Sequence, residues 1–166
     1  MIEILPLSVA RHEDVEALLD EAFGPGRHTR TAYRIRAGMS PVPALSFAAF
    51  EDGRLVGVLQ SWPASLTEAD DTRHPLVLVG PVAVSPTLQR GGIGVALMRR
   101  MLEAADATGE DALVLIGDPE YYDRLFGFSA AETGRWDVPG PVERRRLLAR
   151  LTTDRLCGLA GMLGPR

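Results

Sequence analysis

A strand, a glycine-rich turn, a long helix and a second strand follow one another between residues 76 and 116. Residues 76–84 and Ala112–Ile116 are apolar almost throughout, which is typical of strands buried on both faces. Residues 91–107 carry apolar side chains at the spacing of one broad helix face. Because a strand–helix–strand crossover joins parallel strands, this segment predicts an α/β architecture.

The flanking segments predict antiparallel strands and further helices. Residues 45–50 and 55–62 are separated by an Asp-Gly pair, which is a hairpin signal. Residues 15–23 repeat apolar side chains with helical spacing, and residues 61–74 are predicted to form a polar loop. We therefore expect a mixed β-sheet flanked by helices, in a single domain that spans residues 1–166.

Composition and charge exclude several classes of protein. The net charge of −4 argues against a general nucleic-acid binder, which needs a basic surface. The longest apolar stretch is broken by Gly80 and Pro81 and is too short to span a bilayer, so no membrane partner is expected. The first residues carry Glu3 where a signal peptide needs basic side chains, which favours a cytoplasmic protein.

Cysteine and histidine give no sign of a disulfide or a metal site. Cys157 is the one cysteine of the sequence and is expected to be buried and inert. His12, His28 and His74 are scattered, and none lies at ligand spacing from Cys157. The sequence therefore predicts no metal.

Three glycines open the long helix directly after the first buried strand. Gly91, Gly92 and Gly94 lie in or before its first turn, where each glycine costs up to ~1 kcal/mol relative to alanine. Glycines let another group approach the backbone, and the first amides of a helix favour a phosphate or diphosphate. The alternative is that they only permit a tight turn and close helix–strand packing. The residues match neither the dinucleotide-binding fingerprint nor the P-loop.

Two blocks of this sequence resemble the GNAT acyltransferases. The first resembles the Q/R-x-x-G-x-G/A signature of that family, and reads Gln89-Arg90-Gly91-Gly92-Ile93-Gly94 after the strand Val82-Ala83-Val84-Ser85-Pro86. The second resembles the next family block, and reads Gly117-Asp118-Pro119-Glu120-Tyr121-Tyr122 followed by Phe126-Gly127-Phe128. The convincing match covers residues 76–131, and the order of elements extends it over nearly the whole chain.

The resemblance implies the GNAT fold, with two parallel strands splayed at a cofactor cleft, and acetyl-CoA as acyl donor. The amides from Arg90 to Val95 would hold the diphosphate of coenzyme A, and Gln89 would stabilise the loop. The backbone of Val82 and Val84 would pair with the pantetheine arm. The complete set of implied cofactor-binding residues is Val82, Ala83, Val84, Gln89, Arg90, Gly91, Gly92, Ile93, Gly94 and Val95.

In this family an amine attacks the thioester directly, and a tyrosine before a Gly-Phe pair often protonates the leaving thiolate. The resemblance makes Tyr122 the best match and Tyr121 the second. Tyr122 is one residue farther from Gly127 than is usual, which leaves the choice between them open. The alternative is that one or both rings pack in the core.

The resemblance implies that the acceptor is the primary amine of a small molecule or peptide. Residues 28–37 and 61–74 are expected to contact it. Arg30, Tyr33 and Arg34 would suit an anionic acceptor, although a solvated helix face explains them as well. A general base would come from the second of these segments, among Glu68, Asp70, Asp71 and His74, whose alternative is a solvated loop.

Two further alternatives stay open at this point. A catalytically silent, acyl-CoA-binding sensor of the same fold would keep the cleft and lose turnover, and the absence of a carboxylate in residues 76–84 is compatible with it. The apolar tail at residues 156–163 predicts either a strand that covers the core or the contact of a homodimer.

Overall fold

The structure is a computed structural model that describes residues 1–88 and 91–166. Its strands are β1 (Ile2–Pro6), β2 (Phe47–Glu51), β3 (Arg54–Thr67), β4 (Arg73–Val84), β5 (Ala112–Ile116), β6 (Trp136–Asp137), β7 (Leu147–Leu151) and β8 (Gly161–Pro165). Within the described residues they form an eight-stranded mixed sheet in the order β1-β2-β3-β4-β5-β7, and β8 pairs with β3 and β6. This confirms the predicted mixed sheet.

Four α-helices accompany the sheet in the described part of the chain. They are α1 (His12–Phe23), α2 (Thr31–Ile35), α3 (Ile93–Thr108) and α4 (Pro119–Phe126). The predicted crossover is confirmed, because β4 and β5 are parallel and pair at Val77 with Leu113 and at Leu78 with Val114. None of the helices in residues 1–88 and 91–166 is long and apolar enough to cross a membrane.

The chain divides into two compact units. The first unit comprises Met1–His28, Pro41–Ser61 and Gly80–Thr108, and the second comprises Thr29–Ser40, Trp62–Val79 and Gly109–Arg166. Both β3 and β4 are divided between the two units, β3 after Ser61 and β4 after Val79. The assignment of residues 1–166 to a single domain stays a prediction.

In the first unit, α3 lies against β3 at a glycine. A Cβ atom on Gly57 would lie 2.9 Å from Cγ2 of Ile93 and 3.2 Å from Cδ1 of Leu97, which is closer than side chains pack. Gly57 therefore allows the first turns of α3 to sit directly on the strand. A second apolar cluster joins α1 to the sheet through Val15, Leu18, Leu19, Val58 and Ala83.

In the second unit, β5 has a neighbouring strand on each side and lies in an apolar cluster. It pairs with β4 on one side and with all five residues of β7 on the other. Its side chains pack with Trp62, Leu66 and Trp136, each of them buried. The pairing with β4 involves Leu113 and Val114, whereas Leu115 and Ile116 at the carboxyl end pair with β7. Gly117 follows at this end and begins the α4 region.

Two sequence-based expectations are wrong, and long-range contacts explain one of them. Residues 61–74 do not form one polar loop, because β3 runs to Thr67 and β4 begins at Arg73. β8 pairs with the end of β3 from Ala64 to Thr67, and this pairing extends the strand. The tail therefore ends in a strand on the sheet. Cys157, expected to be buried, is exposed in the turn before β8.

Asp111 links the turn before β5 to the segment after β7. Its carboxylate accepts hydrogen bonds from Thr153 Oγ1 at 2.6 Å and from Arg155 Nε at 2.7 Å. The Arg155 hydrogen bond is the main cause that lowers the pKa of Asp111 from 3.8 to about 2. A carboxyl with a lowered folded-state pKa stabilises the fold above its unfolded pKa, and this stabilisation disappears as the pH falls through the folded value.

We predict that Asp111→Asn lowers the free energy of unfolding by about 1 kcal/mol at pH 7, a value reduced for solvent screening because Arg155 is 35% exposed. The difference from the unsubstituted chain should shrink from about pH 4 downward and vanish near pH 2, as measured by urea unfolding. Asp154→Asn, next to Arg155 in the sequence, is the control, since Asp154 forms no side-chain ion pair among the described residues. A difference that is constant from pH 7 to pH 2 would contradict this role.

Candidate active site

The turn from β4 to α3 is built by a 3-10 helix and a left-handed glycine. The 3-10 helix spans Pro86–Gly91, and the Ser85 amide donates to the Val56 carbonyl at 2.8 Å. Gly92 follows with φ of 70°, a left-handed conformation that favours glycine. The Ala96 amide donates to the Gly92 carbonyl at 3.0 Å, so the amides just before Ala96 belong to the first turn of α3.

Packing does not explain the glycines at positions 91 and 94. A Cβ atom on Gly94 would lie 3.8 Å from Cγ2 of Val84, an ordinary contact, and one on Gly91 would meet Ile93 at 3.8 Å. A Cβ atom on Gly92 would meet nothing within 4 Å. The space in front of these backbones is open, in contrast to the crowded Gly57. Packing among the described residues therefore does not require a glycine at position 91 or 94.

The other residues implied for cofactor binding lie before this turn. Val82, Ala83 and Val84 form the end of β4, with Ala83 buried and both valines partly buried. All three belong to the first unit, together with Ile93, Gly94 and Val95 at the start of α3. Gln89 and Arg90 were also predicted to contribute, and they lie outside the described residues.

Tyr122 packs against Gly117 in the second unit. A Cβ atom on Gly117 would lie 2.8 Å from Cδ2 of Tyr122, so only glycine leaves room for the ring at this point. The ring also makes edge-to-face contacts with Tyr121 and Phe128, at centroid distances of 4.9 Å and 6.5 Å. Both predicted tyrosines thus lie together at the carboxyl end of β5. Tyr121 is 36% exposed, whereas Tyr122 is partly buried.

The surroundings of Tyr122 keep its phenol protonated. Burial raises the pKa of Tyr122, the neighbouring Tyr121 and Asp118 raise it further, and the positive charge of Arg146 opposes them. The phenolic oxygen has no hydrogen-bond partner among residues 1–88 and 91–166. A phenol in this state can donate a hydrogen bond to developing negative charge.

Asp118 occupies the N-cap position of α4, but its side chain makes no capping hydrogen bond. Its carboxylate lies 3.5 Å from Nε of Arg146. The Gly117 amide donates to the Arg146 carbonyl at 2.9 Å, which ties the start of the α4 region to the segment before β7. Arg146 was not singled out from the sequence, because its spatial neighbours Asp118 and Gly117 lie 28 and 29 residues earlier in the chain.

A cavity of about 750 Å³ in the second unit adjoins this region. We call it the β5 cavity; its lining residues are Thr29, Arg30, Thr31, Ala32, Ile116, Pro141, Val142, Glu143 and Arg146. Arg30, predicted as an acceptor contact, is among them. Arg34 instead donates to the Pro139 carbonyl at 3.0 Å, and Tyr33 lies against the guanidinium of Arg36.

The acids predicted as possible bases have local structural partners. Glu68 lies 2.8 Å from Nε2 of His74, across the turn between β3 and β4. Asp70 accepts a hydrogen bond from the Thr72 amide at 3.0 Å. The side chain of Thr72 is the largest cause that lowers the pKa of Asp70, and this amide is the next. These contacts account for the two acids as parts of a tight turn.

A family model described as an acetyltransferase (GNAT) domain matches residues 3–131. The chain belongs to this family. Among its relatives, an uncharacterized N-acetyltransferase of Streptomyces avermitilis is 34% identical over 145 residues, which cover 84% of this chain and 34% of that protein. The GNAT chain thus spans about a third of the length of that relative. The uncharacterized N-acetyltransferase YjhQ of Escherichia coli is 29% identical over 132 residues, which cover 78% of this chain and 71% of YjhQ.

Solved structures confirm the GNAT fold. The N-acetyltransferase YhbS of Escherichia coli, determined in complex with CoA, matches with a TM-score of 0.74 and 22% identity over 100% of this chain and 89% of YhbS. A GNAT acetyltransferase of Brucella melitensis, determined with acetyl-CoA, matches with a TM-score of 0.68 and 24% identity over 100% of this chain and 96% of that one. At these identities the similarity establishes the fold of the GNAT chain.

We predict that Gly117→Ala displaces the ring of Tyr122, because the added methyl group would overlap it. The overpacking should lower the free energy of unfolding by about 1–3 kcal/mol and change the near-ultraviolet circular dichroism of the tyrosines. Gly134→Ala is the matched control, since a Cβ atom on Gly134 meets nothing within 4 Å. Equal stability and equal spectra for the two variants would show that Gly117 does not position the ring.

Proposed function

We propose that the GNAT chain is an N-acetyltransferase that transfers an acetyl or other short acyl group from acetyl-CoA to the primary amine of a small molecule or peptide. The observation that carries the proposal is the open glycine turn at the start of α3, in a chain whose family is the GNAT acetyltransferases. Two solved structures of the same fold were determined with CoA or acetyl-CoA, which supports this choice of donor.

The proposed donor fits the residues of the first unit. The amides of Ile93, Gly94 and Val95 open α3, where the positive end of the helix dipole favours a diphosphate. Gly91 and Gly92 leave the space in front of this turn unobstructed. The backbone of Val82 and Val84 at the end of β4 is proposed to hydrogen-bond to the pantetheine arm. Gln89 and Arg90 complete the proposed set.

The chemistry needs a neutral amine and a donor to the leaving sulfur. When bound, acetyl-CoA supplies the thioester whose C–S bond breaks as the acceptor nitrogen forms the amide, with a net transfer of one proton from nitrogen to sulfur. A thiol has a pKa of about 8.5 and a phenol one of about 10, so full proton transfer from a tyrosine is uphill by roughly 2 kcal/mol. We therefore assign Tyr122 the role of hydrogen-bond donor to the developing thiolate.

The free-energy cost of deprotonating the acceptor amine depends on the type of amine. At pH 7, deprotonating a lysine-like amine with a pKa of about 10.4 costs about 4.6 kcal/mol, whereas an α-amine near 7.7 costs about 1 kcal/mol. The predicted carboxylate bases, such as Glu68 and Asp70, have structural partners in the turn between β3 and β4. This favours an acceptor whose amine has a low pKa, and an α-amine is the first one to test.

We predict that Gly94→Glu stabilises the protein slightly and weakens the binding of CoA at least about 100-fold. A carboxylate in the first turn of a helix is favourable by about 0.3–1 kcal/mol, but here it would repel a diphosphate and fill its place. Gly94 has room for a side chain and does not adopt the left-handed conformation of Gly92. Backbone strain should therefore not contribute to the measured stability of the variant. Thermal unfolding and isothermal calorimetry with CoA measure the two effects.

Gly94→Gln is the matched control for charge, because it fills the same volume without an anion. Its affinity for CoA should lie between those of the unsubstituted chain and Gly94→Glu. If Gly94→Glu binds CoA with unchanged affinity, the diphosphate does not lie at the start of α3, and the proposed donor site is wrong.

We predict that Tyr122→Phe lowers kcat for acetyl transfer by about 10- to 100-fold and leaves the Kd for acetyl-CoA unchanged, because only the hydrogen bond to the leaving sulfur is lost. The raised pKa of Tyr122 keeps the phenol protonated, so this ratio should be constant from about pH 7 to pH 9. Tyr121→Phe removes the neighbouring hydroxyl and should change kcat less than about threefold. A larger effect at Tyr121 would exchange the two roles.

A further inference from the structure

Three consecutive arginines precede β7, and they differ in their partners. Arg144 forms an ion pair with Asp137 at 2.8 Å, and Arg145 forms a close ion pair with Glu120. Arg146 makes no contact of this quality. Its Nε atom is buried and has no hydrogen-bond partner among the described residues.

The one carboxylate near Arg146 satisfies it poorly. Asp118 lies 3.5 Å from Nε, outside hydrogen-bond geometry, and its side chain is 71% exposed to water. The side chain of Arg146 is itself 38% exposed, and of the three arginines it is the one that lines the β5 cavity. A buried guanidinium donor without an acceptor is costly in a protein and is best satisfied by an anion.

The β5 cavity is locally basic in an acidic protein. Its lining contains Arg30 and Arg146 against Glu143, so two positive charges and one negative charge leave a net charge of +1. The whole chain has a net charge of −4. A cavity whose sign opposes that of the surrounding protein selects anionic ligands and attracts them on approach.

The walls of the β5 cavity are held in place by hydrogen bonds. Thr31 Oγ1 donates to the Pro141 carbonyl at 2.6 Å, and Arg34 donates to the Pro139 carbonyl at 3.0 Å. Both bonds join α2 to the loop that carries Val142 and Glu143. A volume of about 750 Å³ between these walls is enough for a small molecule or a few residues of a peptide.

We infer that the β5 cavity binds the acceptor of the proposed acetyl transfer, and that this acceptor is a primary amine that also carries a carboxylate or a phosphate. The inference rests on the proposed function. Its anionic group pairs with Arg146 and Arg30, which both line the cavity. The cavity lies next to the region of Tyr122, because the carbonyl of Arg146 in its lining accepts a hydrogen bond from the amide of Gly117, on which Tyr122 packs.

The test compares acceptors that share an aminoethyl group and differ in its substituent. β-Alanine carries a carboxylate, O-phosphoethanolamine a phosphate, and ethanolamine a neutral hydroxyl. A dipeptide and its C-terminal amide provide a larger pair with an α-amine. With the full chain and acetyl-CoA, kcat/KM should be at least about tenfold higher for the anionic member of a series, as expected for one charge-assisted hydrogen bond. The better of the carboxylate and phosphate probes identifies the anion.

Two substitutions in adjacent positions separate recognition from overall charge. Arg146→Ala should lower kcat/KM for the anionic acceptor about 10- to 100-fold, through KM, so that the preference for the anionic acceptor over ethanolamine is lost. Arg145→Ala removes the same charge from the same segment, but Arg145 pairs with Glu120 outside the cavity, so its effect should be less than about threefold. Arg30→Ala provides a second loss of anion preference if Arg146→Ala is unstable.

Direct binding distinguishes a failure of this inference from a failure of the proposed enzyme. Calorimetric titration of the same amines into the CoA-saturated chain needs no turnover. Anionic amines that bind in an Arg146-dependent way without any acetylation would support the cavity and refute the proposed activity. Acetylation or binding in which ethanolamine and the neutral amide match their anionic partners would overturn the inference and leave the activity standing. No binding of any anionic amine would also overturn it.

Discussion

In both compact units, a glycine lets a neighbouring side chain pack directly on the backbone, because glycine has no Cβ atom, and this packing positions the functional elements. In the first unit, Gly57 on β3 admits Ile93 and Leu97 of α3, which places the start of that helix against the strand. In the second unit, Gly117 after β5 admits the ring of Tyr122. In each case a side chain at the glycine would collide with the element that carries the proposed chemistry. Packing therefore requires glycine at positions 57 and 117, whereas Gly91 and Gly94 border open space.

Electrostatics distinguishes groups that composition alone would treat as equal. The three consecutive arginines at positions 144–146 are the same residue type but have different surroundings. Arg144 and Arg145 form ion pairs with carboxylates, whereas Arg146 lines the β5 cavity. The tyrosines differ in the same way, because burial raises the pKa of Tyr122 while Tyr121 stays at the surface. A family signature cannot make these distinctions, since they arise from the neighbours of each side chain in space.

Much of the fold could be predicted from local patterns. The bounds of β5 were predicted to the residue. The helix α4 begins at Pro119 and is followed by Gly127, and a proline in the first turn and a glycine after the last are local marks of a short helix. The loop predicted at residues 61–74 failed because Ala64–Thr67 becomes a strand by pairing with β8, about 100 residues later in the chain. For the site, the glycine turn and the tyrosine pair were found from sequence, and Arg146 and Glu143 were missed because no local pattern marks a cavity wall.

The sequence by itself determined the crossover from β4 to β5, the glycines at the start of α3 and the resemblance to the GNAT family. Each of these features depends on residues that are close to one another along the chain. Only the tertiary structure decided which tyrosine is the more buried, which of the arginines at positions 144–146 has no hydrogen-bonded carboxylate among the described residues and how far β3 extends. These features depend on contacts such as Gly117 with Arg146 and Thr31 with Pro141. Packing brings such residues together over 29 to 110 positions of sequence, a range over which periodicity and spacing carry no information.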